Sequence, residues 1–454
     1  MKHGTMLPLA LSVAIASCAG PAPPSSPLPV SPLGTAGGAY LRRPAGASPI
    51  KHVIILFQEN RSTDYLFQSP KLIAEGADIA QSGLDSHGDT VPLREVSLAA
   101  GYDIGHGHAV FLTDYDNGKM DGWDLTEPAK LYYRPYGYAP ASEVQPYWDM
   151  ATQFAFADRM FQTNQSSSYP SHQYIVSATA RALPKTVDEI EGGPYYPKTK
   201  KDGPAGCDAP PNILVDTINL HSGMSGPSLF PCFDRPVLSD FLDQQGVSWR
   251  YYQRNFGPGW WHAMDSVKHV RYGPDYADVV SPPQSILSDI ATGNLPGFAW
   301  VMPADDPHSD HAGNRSASGP SWIAAVVNAV GNSQYWDSTA IFVTWDDWGG
   351  WYDHVRPKIY NKYELGFRVP LVIVSAYARP GYVSHRQHEF ASMLAFAEKV
   401  FGIHKGALHG TDMRADDLMD AFDFKQSPRK FVTIKAPPFV PGRGSPAELD
   451  AEDY

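Results

Sequence analysis

Two apolar runs of strand length, His52–Phe57 and Ala340–Trp345, each break off into polar and acidic residues. The first continues as Gln58-Glu59-Asn60-Arg61-Ser62 and the second as Asp346-Asp347-Trp348-Gly349-Gly350. A run that is apolar at every position, rather than at alternate ones, reads as a strand buried on both faces. A third run, Val369–Val374, carries Pro370, which a strand tolerates at its first residues, where no N–H is required. Between these runs lie helical patterns over Tyr147–Met160, Trp322–Val330 and Phe390–Phe401, the last stopping at Gly402. Buried strands alternating with helices imply an α/β fold: a mostly parallel central sheet with helices on both faces. Segments 65–145 and 185–300 are loop-dominated and are expected as long insertions on the rim. Ligands of such sheets sit beyond the carboxyl ends of the strands. Two strands ending in carboxylates on one edge therefore mark a candidate site.

The charge balance narrows the partners. A formal net charge of −12 over 454 residues leaves no excess of Lys and Arg to neutralise phosphates, which argues against nucleic acid. It equally argues against a purely electrostatic grip on an anionic membrane.

The N-terminus reads as an address. The apolar run Met6–Ala16 is too short to span a bilayer and suits the core of a signal peptide. Ile15-Ala16-Ser17-Cys18 resembles the bacterial lipoprotein processing signal. That resemblance implies a signal peptide over 1–17, lipidation of Cys18, and export to the cell envelope with membrane attachment through the lipid. An ordinary secretory signal cut nearby is the alternative. A Pro-, Ser- and Gly-rich tether follows to about residue 45. In an oxidising compartment Cys207 and Cys232 are expected to pair across a loop of about 25 residues, the alternative being two buried thiols.

Glu59, Asn60, Asp346 and Asp347 are hard oxygen donors that suit a divalent cation, and clustering their charges without one would be unfavourable. The plainer reading is that they cap loops and pair with Arg61.

Four blocks carry a family resemblance: His52 through Asp64; Asp103-Ile104-Gly105-His106-Gly107-His108 with Asn117 through Gly122; Thr339 through Val355; and Arg368 through Val383. In this order they resemble the bacterial phosphoesterase family, which contains phosphatidylcholine-type phospholipases C and acid phosphatases and shares its core with alkaline phosphatases. The resemblance implies an alkaline-phosphatase-like catalytic domain over 46–410, followed by a tail over 411–454. It implies a hydrolase of phosphate esters or phospholipids that uses a divalent metal and a phosphoseryl intermediate. Within Gln165-Ser166-Ser167-Ser168-Tyr169-Pro170 it points to Ser168 as nucleophile, with Ser167 as the alternative register. It assigns Glu59, Asn60, Asp346 and Asp347 to the metal, His106, His311 and His354 to catalysis, and Asp353 to substrate binding; His262, after Trp260-Trp261, is a further substrate-binding candidate from its loop context alone. The chain departs from the family at Trp348, where a histidine is usual, and at Ala312-Gly313, where prolines are. His172 stands where a sulfatase modification signal has arginine, which argues against a formylglycine sulfatase. The aromatic run Trp249, Tyr251, Tyr252, Phe256, Trp260 and Trp261 is either loop packing or a cage for a quaternary ammonium. A non-catalytic surface lipoprotein binding lipid headgroups or glycans is the rival reading.

Overall fold

The computed structural model describes Met1 and residues 48–194, 206–254 and 262–442. Cys18, the signal peptide, the tether, and the aromatic residues Phe256, Trp260 and Trp261 lie outside the described residues.

Residues from Ser48 onward form one compact unit around an eight-stranded sheet. In chain order its strands are β1 (His52–Gln58), β2 (Ala155–Ala157), β3 (Trp249–Tyr252), β4 (Val279–Val280), β5 (Phe298–Val301), β6 (Thr339–Trp345), β7 (Leu371–Ser375) and β8 (Tyr382–Ser384). Their order across the sheet is β4-β3-β5-β1-β6-β7-β2-β8. Only β7 runs antiparallel to its neighbours; the other pairings are parallel. Pro370 sits immediately before β7, so the missing N–H costs no ladder bond.

Four helices cover the sheet: α1 (Ala141–Gln153), α2 (Ser168–Ser177), α3 (Gly319–Gly331) and α4 (Phe390–Phe401). Side chains an odd number of positions apart on a strand point to opposite faces. On β6, Phe342 packs against Phe396 of α4, while Trp345 packs against Tyr147 of α1. The helices thus lie on both faces, as the alternating pattern requires. Helix α4 ends at Gly402 in the left-handed region, φ 75°.

Two expectations are corrected. The pattern read as one helix over Tyr147–Met160 breaks at Phe154, and Ala155–Ala157 enters the sheet as β2. All three of those residues are fully buried, and a short apolar run buried on every side looks alike as helix or strand. The segment 185–300 is not only rim: it supplies β3, β4 and most of β5. Trp249, Tyr251 and Tyr252 are therefore buried sheet residues. The tail packs back on the body as far as it is described. Phe439 lies against Trp322, and the Ile434 N–H donates to Asn328 Oδ1 at 2.8 Å. Among the described residues no helix is long and apolar enough to cross a membrane.

Cys207 and Cys232 form a disulfide. Cys207→Ser is expected to lower the unfolding free energy by about 3 kcal/mol, the chain-entropy value for a loop of this size. Urea unfolding of oxidised wild type and variant measures it, and an unchanged midpoint would contradict the staple role.

Candidate active site

Strands β1 and β6 are parallel neighbours registered to their last residues, Gln58 opposite Trp345. The next residues of both therefore emerge side by side. Asn60 takes a left-handed conformation, φ 53°, which asparagine tolerates better than most side chains. In that turn its backbone N–H donates to Asp346 Oδ1 at 3.0 Å, and the Asp347 N–H donates to the same oxygen at 2.9 Å. Gly349 completes the cradle at φ +63°. A Cβ added there would fall 2.2 Å from the Asn60 carbonyl oxygen. Its N–H donates to Asp347 Oδ1 at 2.8 Å.

Helix α2 brings the serine. Ser167 stands at the N-cap and Ser168 is the first helical residue. The Ser166 hydroxyl turns away to the Glu191 carbonyl at 2.6 Å. The Ser168 hydroxyl lies 3.0 Å from Asp347 Oδ2 and 3.3 Å from Asn60 Oδ1. Of the three serines, Ser168 is the one hydrogen-bonded to both strand ends. The free N–H groups and dipole of a helix N-terminus favour an anion there.

Two histidines complete this set. His106 Nδ1 faces the Ile104 carbonyl at 2.7 Å, and His311 Nδ1 faces the Ala312 carbonyl at 2.7 Å. A carbonyl only accepts, so in both rings Nδ1 carries the proton and Nε2 is left basic. The two Nε2 atoms lie 2.9 Å and 3.2 Å from Asn60 Nδ2, which donates to them. Asn60 thus stands between the serine hydroxyl and two basic imidazoles.

A second group adjoins it through the same strand ends. Glu59, His172 and Asp346 each offer a ligand atom within 4.8 Å of the others. His172 Nε2 is 3.3 Å from Glu59 Oε1 and 3.5 Å from Asp346 Oδ2. Burial alone pushes Asp346 up, but the neighbouring His172, with the Asn60 N–H, holds it well below the usual carboxylate range. Glu59, Asn60, Ser168, His172, Asp346 and Asp347 are all 0% exposed. Asp346 Oδ2 and His172 Nδ1 are buried without a hydrogen bond. Two carboxylates and an imidazole converging in a buried pocket are a donor set that fits a divalent cation. Sequence reasoning missed His172. The available signal was its spacing of four from Ser168, which puts both side chains on one face of a helix.

Three expected site residues lie elsewhere. His354 is bound at both ring nitrogens, to Asp64 Oδ2 at 2.7 Å and to Asp78 Oδ1 at 2.9 Å. Asp353 pairs with the buried Arg368 at 2.7 Å, although burial still pushes its carboxyl up to about 6. Arg368 also binds Asp64 at 3.0 Å. This ion cluster ties the segments following β1 and β6 to the start of β7, and Asp64, Asp353 and His354 also offer ligand atoms within 4.8 Å of one another. His262 pairs with Asp265 at 3.3 Å, and Asp265 also accepts from Gln253 and Tyr276.

A cleft of about 870 Å³ opens beside His106 and the start of α2, lined among others by Gly105, Gly107, His108 and Ser166. Glu191 also lines it, its carboxyl pushed up to about 7 by burial and by Asp216.

The sequence profile of the phosphoesterase family matches residues 50–404. The chain belongs to the phosphoesterase family. As a member it is a phosphoester hydrolase. Phosphoesterase relatives include non-specific phospholipase C1 of Arabidopsis thaliana, 24% identical over 86% of this chain and 74% of that protein. Phospholipase C A of Mycobacterium tuberculosis is 24% identical over 85% of this chain and 79% of its own length. Among solved structures, a protein in the alkaline phosphatase superfamily from Vibrio parahaemolyticus is similar with a TM-score of 0.37 and 12% identity, over 81% of this chain and 71% of that one.

Gly349→Ala is expected to destabilise the phosphoesterase fold by about 1–3 kcal/mol and to lower turnover with it, because the Asn60 turn must move. Thermal unfolding and turnover, measured together, check this. A variant as stable and active as wild type would contradict the cradle.

Proposed function

We propose that this phosphoesterase cleaves phosphate esters through a phosphoseryl intermediate on Ser168, with phospholipids as its substrate class. The observation that carries the reading is the Ser168 hydroxyl held between Asp347 Oδ2 at 3.0 Å and Asn60 Oδ1 at 3.3 Å at the head of a helix. Asp347 accepts the hydroxyl proton as Ser168 Oγ attacks phosphorus. The new Oγ–P bond forms as the bond from phosphorus to the ester oxygen breaks. Asn60 Nδ2 turns from the imidazoles to a phosphoryl oxygen. Once Asn60 Nδ2 has turned away, His106 and His311 take up a proton from water at Nε2 and hold further oxygens, and the one facing the leaving group gives that proton to the departing alkoxide. Such proton transfer contributes roughly 10²–10⁴-fold. Water then attacks phosphorus and frees Ser168. Glu59, His172 and Asp346 would hold a divalent cation, whose charge supplies stabilisation of the phosphoryl oxygens and of the serine alkoxide. Asn60 and Asp347, assigned to the metal from the sequence, serve the serine in this reading.

The phospholipid assignment rests on the names of the relatives, phospholipases C over most of this chain. Export and attachment through a diacylated Cys18 fit that substrate, and the disulfide fits export.

The test compares the purified chain and its variants on p-nitrophenyl phosphate and p-nitrophenyl phosphorylcholine, with and without chelator. Ser168→Ala is expected to lose at least ~10³-fold in kcat with the fold intact, and Ser167→Ala to lose little. Chelation is expected to abolish turnover, and the phosphocholine ester to be preferred. Near wild-type turnover in both serine variants would overturn the mechanism, and exclusive use of the monoester would overturn the phospholipid assignment.

A further inference from the structure

We propose that His388, Asp416 and Asp420 form a second metal site, separate from the catalytic centre, that takes a divalent ion of the zinc class. His388 lies just ahead of α4, and the two aspartates come from the loop that follows that helix. Each offers one ligand atom within 4.8 Å of the others.

Ser384 Oγ, at the end of β8, has one hydrogen and donates it to Asp420 Oδ2 at 2.5 Å. Its 3.0 Å contact with His388 Nε2 must then be donated by the ring. In the neutral imidazole Nδ1 is therefore the bare nitrogen. That atom makes no hydrogen bond; its own side chain is 0% exposed, and it lies 3.4 Å from Oδ1 of Asp416, whose side chain is 23% exposed. Asp416 Oδ1 accepts the Leu418 N–H at 2.9 Å, but the buried Nδ1 lone pair facing that oxygen is repelled by it, so a positive charge belongs between them. Asp420 Oδ1 is likewise buried without a hydrogen bond.

One cation bound by Nδ1 and both carboxylates satisfies these atoms together. An imidazole with two carboxylates suits zinc better than calcium or magnesium, which take shells of oxygen. Ser384 then acts as the outer partner that fixes the ring tautomer, the usual arrangement behind a metal-bound histidine. Arg386 competes for the aspartates, at 3.2 Å from Asp416 and 3.9 Å from Asp420, but its side chain is 62% exposed. Such a pair is weak, and the guanidinium can turn into water. Zinc here would fasten the 416–420 loop to edge strand β8 and to the start of α4.

The test uses the full chain, stripped with chelator and then titrated with zinc chloride. Metal content by mass spectrometry and Tm are the readouts. His388→Gln is expected to bind one zinc equivalent fewer than wild type and to lose a zinc-dependent rise in Tm. Asp416→Asn, at a partly exposed side chain, should behave alike if the histidine variant does not fold. Arg386→Ala removes the competing cation and is expected to bind zinc several-fold tighter. Equal stoichiometry in wild type and both ligand variants, or unchanged affinity in Arg386→Ala, would overturn the proposal and leave a proton as the charge between His388 and Asp416.

Discussion

Strands β1 and β6 pair in parallel through seven consecutive positions, His52 against Thr339 to Gln58 against Trp345. Everything at the candidate active site hangs from the ends of those two strands. In a parallel pair the chains leave the sheet in the same direction, so Glu59-Asn60 and Asp346-Asp347 emerge together without further design. The same strand end sets a third segment. The Gln58 side-chain amide donates to the His308 carbonyl at 3.0 Å, and its oxygen accepts from the Asp310 N–H at 2.8 Å. The loop carrying His311 is thus docked on the residue before Glu59. Helix α2 adds Ser168 and His172, one turn apart on the same face. Slipping the pairing of β1 and β6 by one residue would break all of these contacts together.

Burying three carboxylates side by side carries a large desolvation penalty unless each is compensated. The compensation here is local and divided. Asp346 accepts two backbone N–H groups and faces His172. Asp347 accepts the Gly349 N–H and the Ser168 hydroxyl. A cation beside Glu59, His172 and Asp346 would complete the balance. The neighbouring cluster of Asp64, Asp353, His354 and Arg368 is a different solution to the same problem. There a buried guanidinium supplies the positive charge, with Arg368 donating to Asp353 at 2.7 Å and to Asp64 at 3.0 Å. In one cluster an arginine supplies the positive charge; in the other, on the proposed reading, a cation would.

Much of this was legible in the sequence, for identifiable reasons. The runs 53–57 and 340–343 are apolar at every position, which is how a strand covered on both faces must read, and they lie within β1 and β6. Three residues buried all round carry no periodicity, so β2 reads as a continuation of α1. Strands of four and two residues, such as β3 and β4, fall below any pattern and read as rim. Register places Glu59, Asn60, Asp346 and Asp347 side by side at the two strand ends, as their position after the apolar runs implies. The partners of His354, Asp64 and Asp78, and the neighbouring Arg368 are distant in sequence, so no local pattern announces that ion cluster. His172 was read only against a sulfatase signal, where its helical relation to Ser168 held the information.

The central claim is that Ser168 becomes the phosphorylated residue. Rapid acid quench of the enzyme turning over a phosphate ester, followed by peptide mass spectrometry, tests it most directly. The account predicts a phosphoryl group, or a phosphodiester retaining the headgroup, on Ser168 and none on Ser166 or Ser167. Turnover with no modified serine at any quench time, and inversion of configuration at a chiral phosphorus, would contradict it.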